Sequence, residues 1–205
     1  MNRRRLPLQP LALSASLLAT ALSAQAQFAI NIGTVQVQPN QANQQIFIDV
    51  SNVSSAGALD FYVQIADGFP DVPGSTQNGP NITAVDIVTG TLFDGNNDGG
   101  QVGSGLGLQH QYRGVLTQTG TVSGSGRLAT VTIDTTGFNS GSWALRVGTV
   151  HNGPTQFYDT NFDPLPGNIT DGTLAIVPEP AAYAMAMGIL AFGFVSVRRC
   201  CRRTA

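Results

Sequence analysis

The chain has 205 residues, of which 42% are hydrophobic and only 11% charged, and its formal net charge is −2. It contains no lysine; the ten cations are all arginines, three at 3–5, four at 198–203, and only Arg113, Arg127 and Arg146 between. Those three face eleven aspartates over the same central stretch, a net charge of −8. This excludes nucleic acid as a partner, because phosphate binding requires clustered cations, and it favours cations or a basic partner.

Taken in chain order, Arg3, Arg4 and Arg5 form a basic segment, followed by an apolar run from Leu11 to Leu22 and the small-residue pattern Ala24-Gln25-Ala26. This is the pattern of a secretory signal peptide over 1–26, cleaved after Ala26, with Ala24 and Ala26 as the cleavage-site residues. Both cysteines, Cys200 and Cys201, lie in the last six residues. The exported stretch therefore has no disulfide to hold it, and its stability must come from its core or from metal.

Residues 27–176 read as strands separated by turns. Ile46, Ile48 and Val50 alternate with Phe47 and Asp49; Leu59, Phe61, Val63 and Ile65 alternate with Asp60, Tyr62 and Gln64. Ala129, Val131 and Ile133 repeat the pattern, as do Trp143, Leu145 and Val147. A period of two marks half-buried antiparallel strands. Shorter candidates cover 30–37, 82–88, 108–116, 156–158 and 172–176. About nine strands with glycine- and proline-rich turns between them predict an all-β antiparallel sandwich. Gly33 interrupts the first strand and shifts its apolar phase, which predicts a bulge or a change of sheet there.

The runs Ile48-Asp49-Val50-Ser51-Asn52-Val53 and Leu59-Asp60-Phe61-Tyr62-Val63 resemble the early strands of cohesin-like domains. The glycine-rich turn Ser123-Gly124-Ser125-Gly126 entering Arg127 to Ile133 resembles the later core run, and Asn168 to Ile176 resembles the closing strand. The resemblance implies a nine-stranded jelly roll, related in fold to a class of carbohydrate-binding modules, and carries the fold better than the function; a non-enzymatic surface or matrix component is the first reading, and a module that binds a carbohydrate or a protein partner is the alternative. Cohesins of cellulosomes bind dockerins. The chain departs from the pattern in a Gly/Asn-rich insert from Gly90 to Gly107, placed to replace or cover a binding face.

Within that insert, Asp94-Gly95-Asn96-Asn97-Asp98-Gly99 fits the first half of a calcium loop, with Asp94, Asn96 and Asp98 as candidate oxygen ligands. The position twelve residues into the loop, where a bidentate glutamate belongs, is Gly105, so a full helix-loop-helix calcium site is excluded. Calcium completed by other loops and a simple polar turn are the two readings left. Asp159, Asn161 and Asp163 repeat the spacing without the glycine.

Catalytic patterns are missing. His110 and His151 have no metal-ligand spacing, and no G-x-S-x-G elbow joins a strand to a helix. The only glutamate of the chain, Glu179, lies outside the strand-rich region, so a Glu-based hydrolytic pair has no source there. Trp143 sits in an alternating strand as a core residue, whereas Phe61 or Tyr62 faces outward on its strand and Tyr112 is a further candidate for an exposed aromatic surface. The expectation is a protein without enzymatic activity.

The chain closes with Val177-Pro178-Glu179-Pro180, an uncharged run from Ala181 to Val197, and Arg198-Arg199-Cys200-Cys201-Arg202-Arg203. Seventeen uncharged residues at a 1.5 Å rise span about 26 Å, the lower edge of a bilayer core, and the arginines mark the cytoplasmic end. The motif, the span and the basic cluster over 177–205 resemble the PEP-CTERM sorting signal of Gram-negative bacteria, whose bearers are substrates of exosortase-type membrane enzymes and associate with exopolysaccharide and biofilm. The resemblance makes Pro178, Glu179 and Pro180 the recognition element, and Arg198, Arg199, Arg202 and Arg203 the stop-transfer cluster. The expected protein is exported, held for a time in the inner membrane and then sorted to the surface or matrix. Its expected partners are the processing enzyme and either exopolysaccharide or a protein. An uncleaved C-terminal anchor is the alternative reading of the same span.

Overall fold

The structure is a computed structural model that describes residues 27–103 and 107–177. The expected signal peptide with Ala24 and Ala26, the motif Pro178-Glu179-Pro180, the apolar span and the arginine cluster lie outside the described residues. Among the described residues no helix is long and apolar enough to cross a membrane.

Among the described residues, eleven strands form two sheets. They are β1 (Phe28–Asn31), β2 (Thr34–Val37), β3 (Gln44–Ala56), β4 (Ala58–Ile65), β5 (Asn81–Asp86), β6 (His110–Leu116), β7 (Val122–Asp134), β8 (Gly141–Arg146), β9 (Gln156–Tyr158), β10 (Gly167–Thr170) and β11 (Gly172–Ile176). One sheet has the order β10-β1-β3-β7-β5; the other runs β2-β11-β8-β4-β6, with β9 added against β4. The expected all-β sandwich is present; one extra strand arises where the expected strand 30–37 is cut into β1 and β2, and the other is β10, just ahead of the expected strand 172–176.

Both differences fall at one place in the fold. Gly33, at φ +62°, ends β1 in the first sheet and starts β2 in the second. The closing segment makes the same crossing at Asp171, where β10 gives way to β11. β10 runs parallel to β1 and β11 runs parallel to β2, so the two ends of the domain switch sheets side by side. Only glycine adopts φ +62° at no steric cost, which is the local reason the crossing is placed there.

The inward faces interlock as the alternation requires. Leu59, Phe61, Val63 and Ile65 of β4 are buried against Ile46, Ile48 and Val50 of β3 and Val131 and Ile133 of β7, all within one hydrophobic core. Phe28 meets Phe157 edge-on at 4.8 Å. Each such side chain removed from water contributes about 1.5–3 kcal/mol. Trp143 lies in this core as expected, with its indole N–H donating to the Asn78 carbonyl at 3.1 Å.

β3 and β7 run further than the apolar alternation suggests. Asn52 and Ser55 take positive φ, 58° and 55°, and the ladder shifts register around Val53. The run Ser123-Gly124-Ser125-Gly126, expected as a turn, is the first part of β7, and its side chains stand in for the backbone: Ser125 Oγ accepts the Asn52 N–H at 2.9 Å, and Ser123 Oγ accepts that of Ser55 at 2.8 Å. These are bulges in which the serine hydroxyls satisfy donors that would otherwise be orphaned.

The insert from Gly90 is anchored rather than loose. Phe93 is fully buried, stacked 6.5 Å from Phe157, and Gln101 bridges the Val85 carbonyl and the Ile87 N–H through its amide. Val102 then pairs with Gly114 by two backbone hydrogen bonds and extends the free edge of β6.

Candidate functional site: a tyrosine face on the six-stranded sheet

On β4 the residues between the core positions point outward, and the register of the neighbouring strands decides what surrounds them. Tyr62 stands opposite Tyr112 of β6, and Asp60 stands opposite Gly114. On the other edge Asp60 faces Gln156 of β9, and Ala58 faces Tyr158. Directly paired residues of antiparallel strands share a face, so three tyrosines and one carboxylate are brought together from three strands.

The Tyr112 hydroxyl donates to Asp60 Oδ1 at 2.7 Å. The Tyr62 and Tyr112 rings lie 4.8 Å apart, tilted by 37°. Gly114 makes this possible: a Cβ there would stand 2.7 Å from the Tyr112 hydroxyl oxygen, so only the bare backbone lets the ring lie across the strand toward Asp60. All three phenols are held above the ordinary tyrosine range. For Tyr112 the cause is burial first, then its hydrogen bond to Asp60 and the negative charge of that carboxylate. Burial followed by the Asp60 charge also raises Tyr62 and Tyr158.

Two shallow hollows flank Asp60. One, of about 230 Å³, is walled by Tyr112, Tyr158, Val102, Leu116 and Phe162. The other, of about 380 Å³, is walled by Tyr62, Tyr158, Asn152, Pro154 and Pro164. Phe162 is 64% exposed at the rim and holds φ +63°, an uncommon conformation for a bulky residue. The turn that presents it is closed by Asp159, whose Oδ1 accepts the N–H groups of Asn161 and Asp163 at 2.7 and 2.9 Å. The Asp159-Asn161-Asp163 spacing is thus used to build a turn. Its backbone hydrogen bonds, the Asp163 N–H foremost, hold the Asp159 carboxyl below the usual carboxylate range.

At the far end of the face the aromatic row continues under loops. His110 stacks on Tyr62 at 6.3 Å and meets His151 at 6.0 Å, and its ring is buried. Burial and the neighbouring His151 lower its pKa. Gln64 supports this end by accepting the His151 N–H at 2.9 Å.

The other sequence-derived site residues lie elsewhere. Asp94 Oδ2 accepts the Gly90 N–H at 3.1 Å, closing the turn of the insert. Asn96 uses both ends of its amide on Thr119, accepting its N–H at 3.0 Å and donating to its carbonyl at 2.9 Å. The Asp98 N–H donates to the Leu116 carbonyl at 2.9 Å. The segment therefore braces the connection from β6 to β7. Among the described residues no group of three or more His, Cys, Asp or Glu side chains is gathered in a way that could hold a metal. Of the aromatic candidates in the sequence, Phe61 is buried while Tyr62 and Tyr112 lie on this face; the Asp60–Tyr112 pair and Tyr158 carry no signal in the sequence because they depend on strand register.

Chemically, the face offers planar rings, hydroxyl donors and one carboxylate whose described hydrogen-bond partner is a phenol. This is equipment for stacking and for holding a positive or hydrogen-bonding group.

No family model and no curated protein matches the chain. Among solved structures it is similar to a non-cellulosomal cohesin from the hyperthermophilic archaeon Archaeoglobus fulgidus, at 20% identity over 78% of this chain and 98% of that one, with a TM-score of 0.52. It is also similar to CaCohA2 from Clostridium acetobutylicum, at 16% identity over 75% and 92%, TM-score 0.55. A third similar chain comes from a type I cohesin–dockerin complex of Clostridium thermocellum, at 11% identity over 74% and 99%, TM-score 0.52. At these identities the likeness shows the fold, which is that of a cohesin-like β-sandwich.

Proposed function

We propose that the protein is a non-enzymatic binding module of the cell envelope that holds a protein partner on the outer face of its six-stranded sheet. The observation that carries this reading is the convergence of Tyr62, Tyr112 and Tyr158 on Asp60, beside the exposed apolar side chains of Val102, Leu116 and Phe162. Tyrosines in a polar-rimmed, partly apolar patch are favoured at protein interfaces. The structural likeness to cohesins, one of which is a chain of a cohesin–dockerin complex, supports a protein rather than a small molecule as the occupant. The test is site-specific photo-crosslinking in the host, with a photoreactive phenylalanine analogue in place of Tyr158 or, as control, of Thr83 on the other sheet. A discrete protein adduct from position 158 and none from 83 supports the module. No protein adduct at 158, or recovery of polysaccharide alone, overturns the protein partner.

The C-terminal segment belongs to the same proposal. Its resemblance to the PEP-CTERM signal supports export of the module in a Gram-negative bacterium, transient residence in the inner membrane and processing by an exosortase-type enzyme that reads Pro178, Glu179 and Pro180. In that setting the module joins the cell surface or the exopolysaccharide matrix. Fractionation with intact-mass analysis tests this: the wild-type protein should leave the membrane without its tail, while Glu179→Ala stays anchored at full length. Retention of both at full length would leave an uncleaved anchor.

A further inference from the structure

Asp60 is a lone carboxylate among aromatic rings. Tyr112 holds one of its oxygens at 2.7 Å, Tyr62 lies against Tyr112, and Tyr158 closes the side formed by β9. The nearest cation along β6, Arg113, is turned away: its guanidinium donates to the Tyr112 carbonyl at 2.7 Å. The surrounding stretch carries eleven aspartates against three arginines. A carboxylate among tyrosine rings attracts an organic cation, through charge and, where the cation settles over a ring, through cation–π contact as well. Hollows open on both sides of Asp60, and the one under Leu116 and Phe162 is apolar enough to receive an alkyl stem.

Resting on the binding-module reading above, we infer that the hollow formed by Asp60, Tyr62, Tyr112 and Tyr158 is a subsite for a basic side chain, a lysine or arginine that the protein partner inserts as its anchor. The stem lies along the ring faces and Phe162, and the ammonium or guanidinium meets the free lone pairs of Asp60. The phenol of Tyr112 pre-orients the carboxylate, so the partner does not have to order it on arrival. The negative charge of the whole domain adds attraction at longer range, which salt screens over about 8 Å at physiological ionic strength.

The test uses the full chain in a nonionic detergent and a random-peptide display library. The expected result is a set of recovered peptides that share a lysine or arginine. Titration of one such peptide should weaken by roughly tenfold or more with Asp60→Asn, a near-isosteric change that removes the charge. Acetylating the lysine of that peptide should weaken binding to the unmodified protein equally, and this arm needs no variant to fold. Peptides that require Tyr62 yet carry no basic residue would overturn the cation subsite while leaving the binding module in place. If no recovered peptide depends on Tyr62, or if a neutral glucan oligosaccharide binds the face and basic peptides do not, the subsite and the protein-binding reading fall together.

Discussion

The hydroxyl of Tyr112 reaches Asp60 Oδ1, 2.7 Å away, across a position that carries no side chain, Gly114. Its φ lies outside the left-handed region, so alanine is allowed there by the backbone and even favoured in a strand by about 0.5–1 kcal/mol. The added methyl would, however, stand 2.7 Å from the phenol oxygen. Gly114→Ala should therefore keep the melting temperature within a few degrees while displacing the Tyr112 ring. Partner affinity should fall, and the Tyr112 titration should move down toward the ordinary tyrosine value. Thermal denaturation and a tyrosine pH titration check both halves.

Asp60 contributes to the raised pKa of all three tyrosines, second to burial in each. Removing its charge with Asp60→Asn should lower the three titrations together, leaving each above its ordinary value because burial persists. The sign for stability follows. A phenol whose folded pKa lies above its unfolded value of about 10 contributes stability that is complete below pH 10 and is lost as pH rises through the folded pKa. Alkaline denaturation of the wild type should thus be steeper than that of Asp60→Asn, measured by circular dichroism above pH 10.

Asp171 sits at the sheet crossing and receives the N–H groups of Val147, Gly148 and Thr149, the first two at 2.8 and 2.7 Å, and also the Thr149 hydroxyl. Burial pushes its carboxyl up, but these hydrogen bonds outweigh it and hold the pKa below the usual range. A depressed folded pKa gives stability that is present above the unfolded value of about 3.9 and is lost as pH falls through the folded value. Asp171→Asn should cost about 1 kcal/mol at pH 7 once solvent screening of the partly exposed carboxylate is allowed for. The variant should also lose less stability than the wild type between pH 5 and 2, as followed by urea denaturation across that range.

Gly172 has its own reason for being glycine. A Cβ there would overlap the Gly33 carbonyl oxygen and crowd Ile32, at the point where the two parallel pairs change sheets side by side. Gly172→Ala should destabilise by about 1–3 kcal/mol through overpacking against backbone that has little room to move. Gly120, in an open turn with nothing within 4 Å of a built Cβ, provides a comparison. Its φ of +58° makes alanine strained there too, by a smaller, purely conformational amount. Denaturant midpoints of the two variants separate close packing from backbone preference.

Much of the sandwich was legible because burial of one face imposes period two. The β4 alternation left either Phe61 or Tyr62 as the outward ring, and burial of Phe61 in the core decides for Tyr62; the Gly33 break allowed a bulge or a change of sheet, and the chain changes sheet there. The sequence was silent where polar atoms replace the apolar signal. β3 continues past Val50 through Asn52 and Ser55 because serine hydroxyls of β7 take up their N–H groups, and no hydrophobic pattern marks that. Tyr158 sits on a three-residue strand whose value to the site comes only from pairing with Ala58. Its glycines and asparagines mark the insert as a candidate site or a cover. The full burial of Phe93 and the edge pairing at Val102 are tertiary choices that composition does not record.

The central claim is that the tyrosine face, and not the opposite sheet, is the working surface. Its most direct test is calorimetric titration of the partner captured at position 158 against two variants of the full chain. Tyr158→Ala alters the proposed face. Phe47→Ala alters an aromatic ring that is 48% exposed on the five-stranded sheet, beneath the Arg127 guanidinium. The account predicts a loss of about 2 kcal/mol or more, roughly 30-fold in Kd, for Tyr158→Ala, and no measurable change for Phe47→Ala. The reverse order, or equal losses from both, would contradict it.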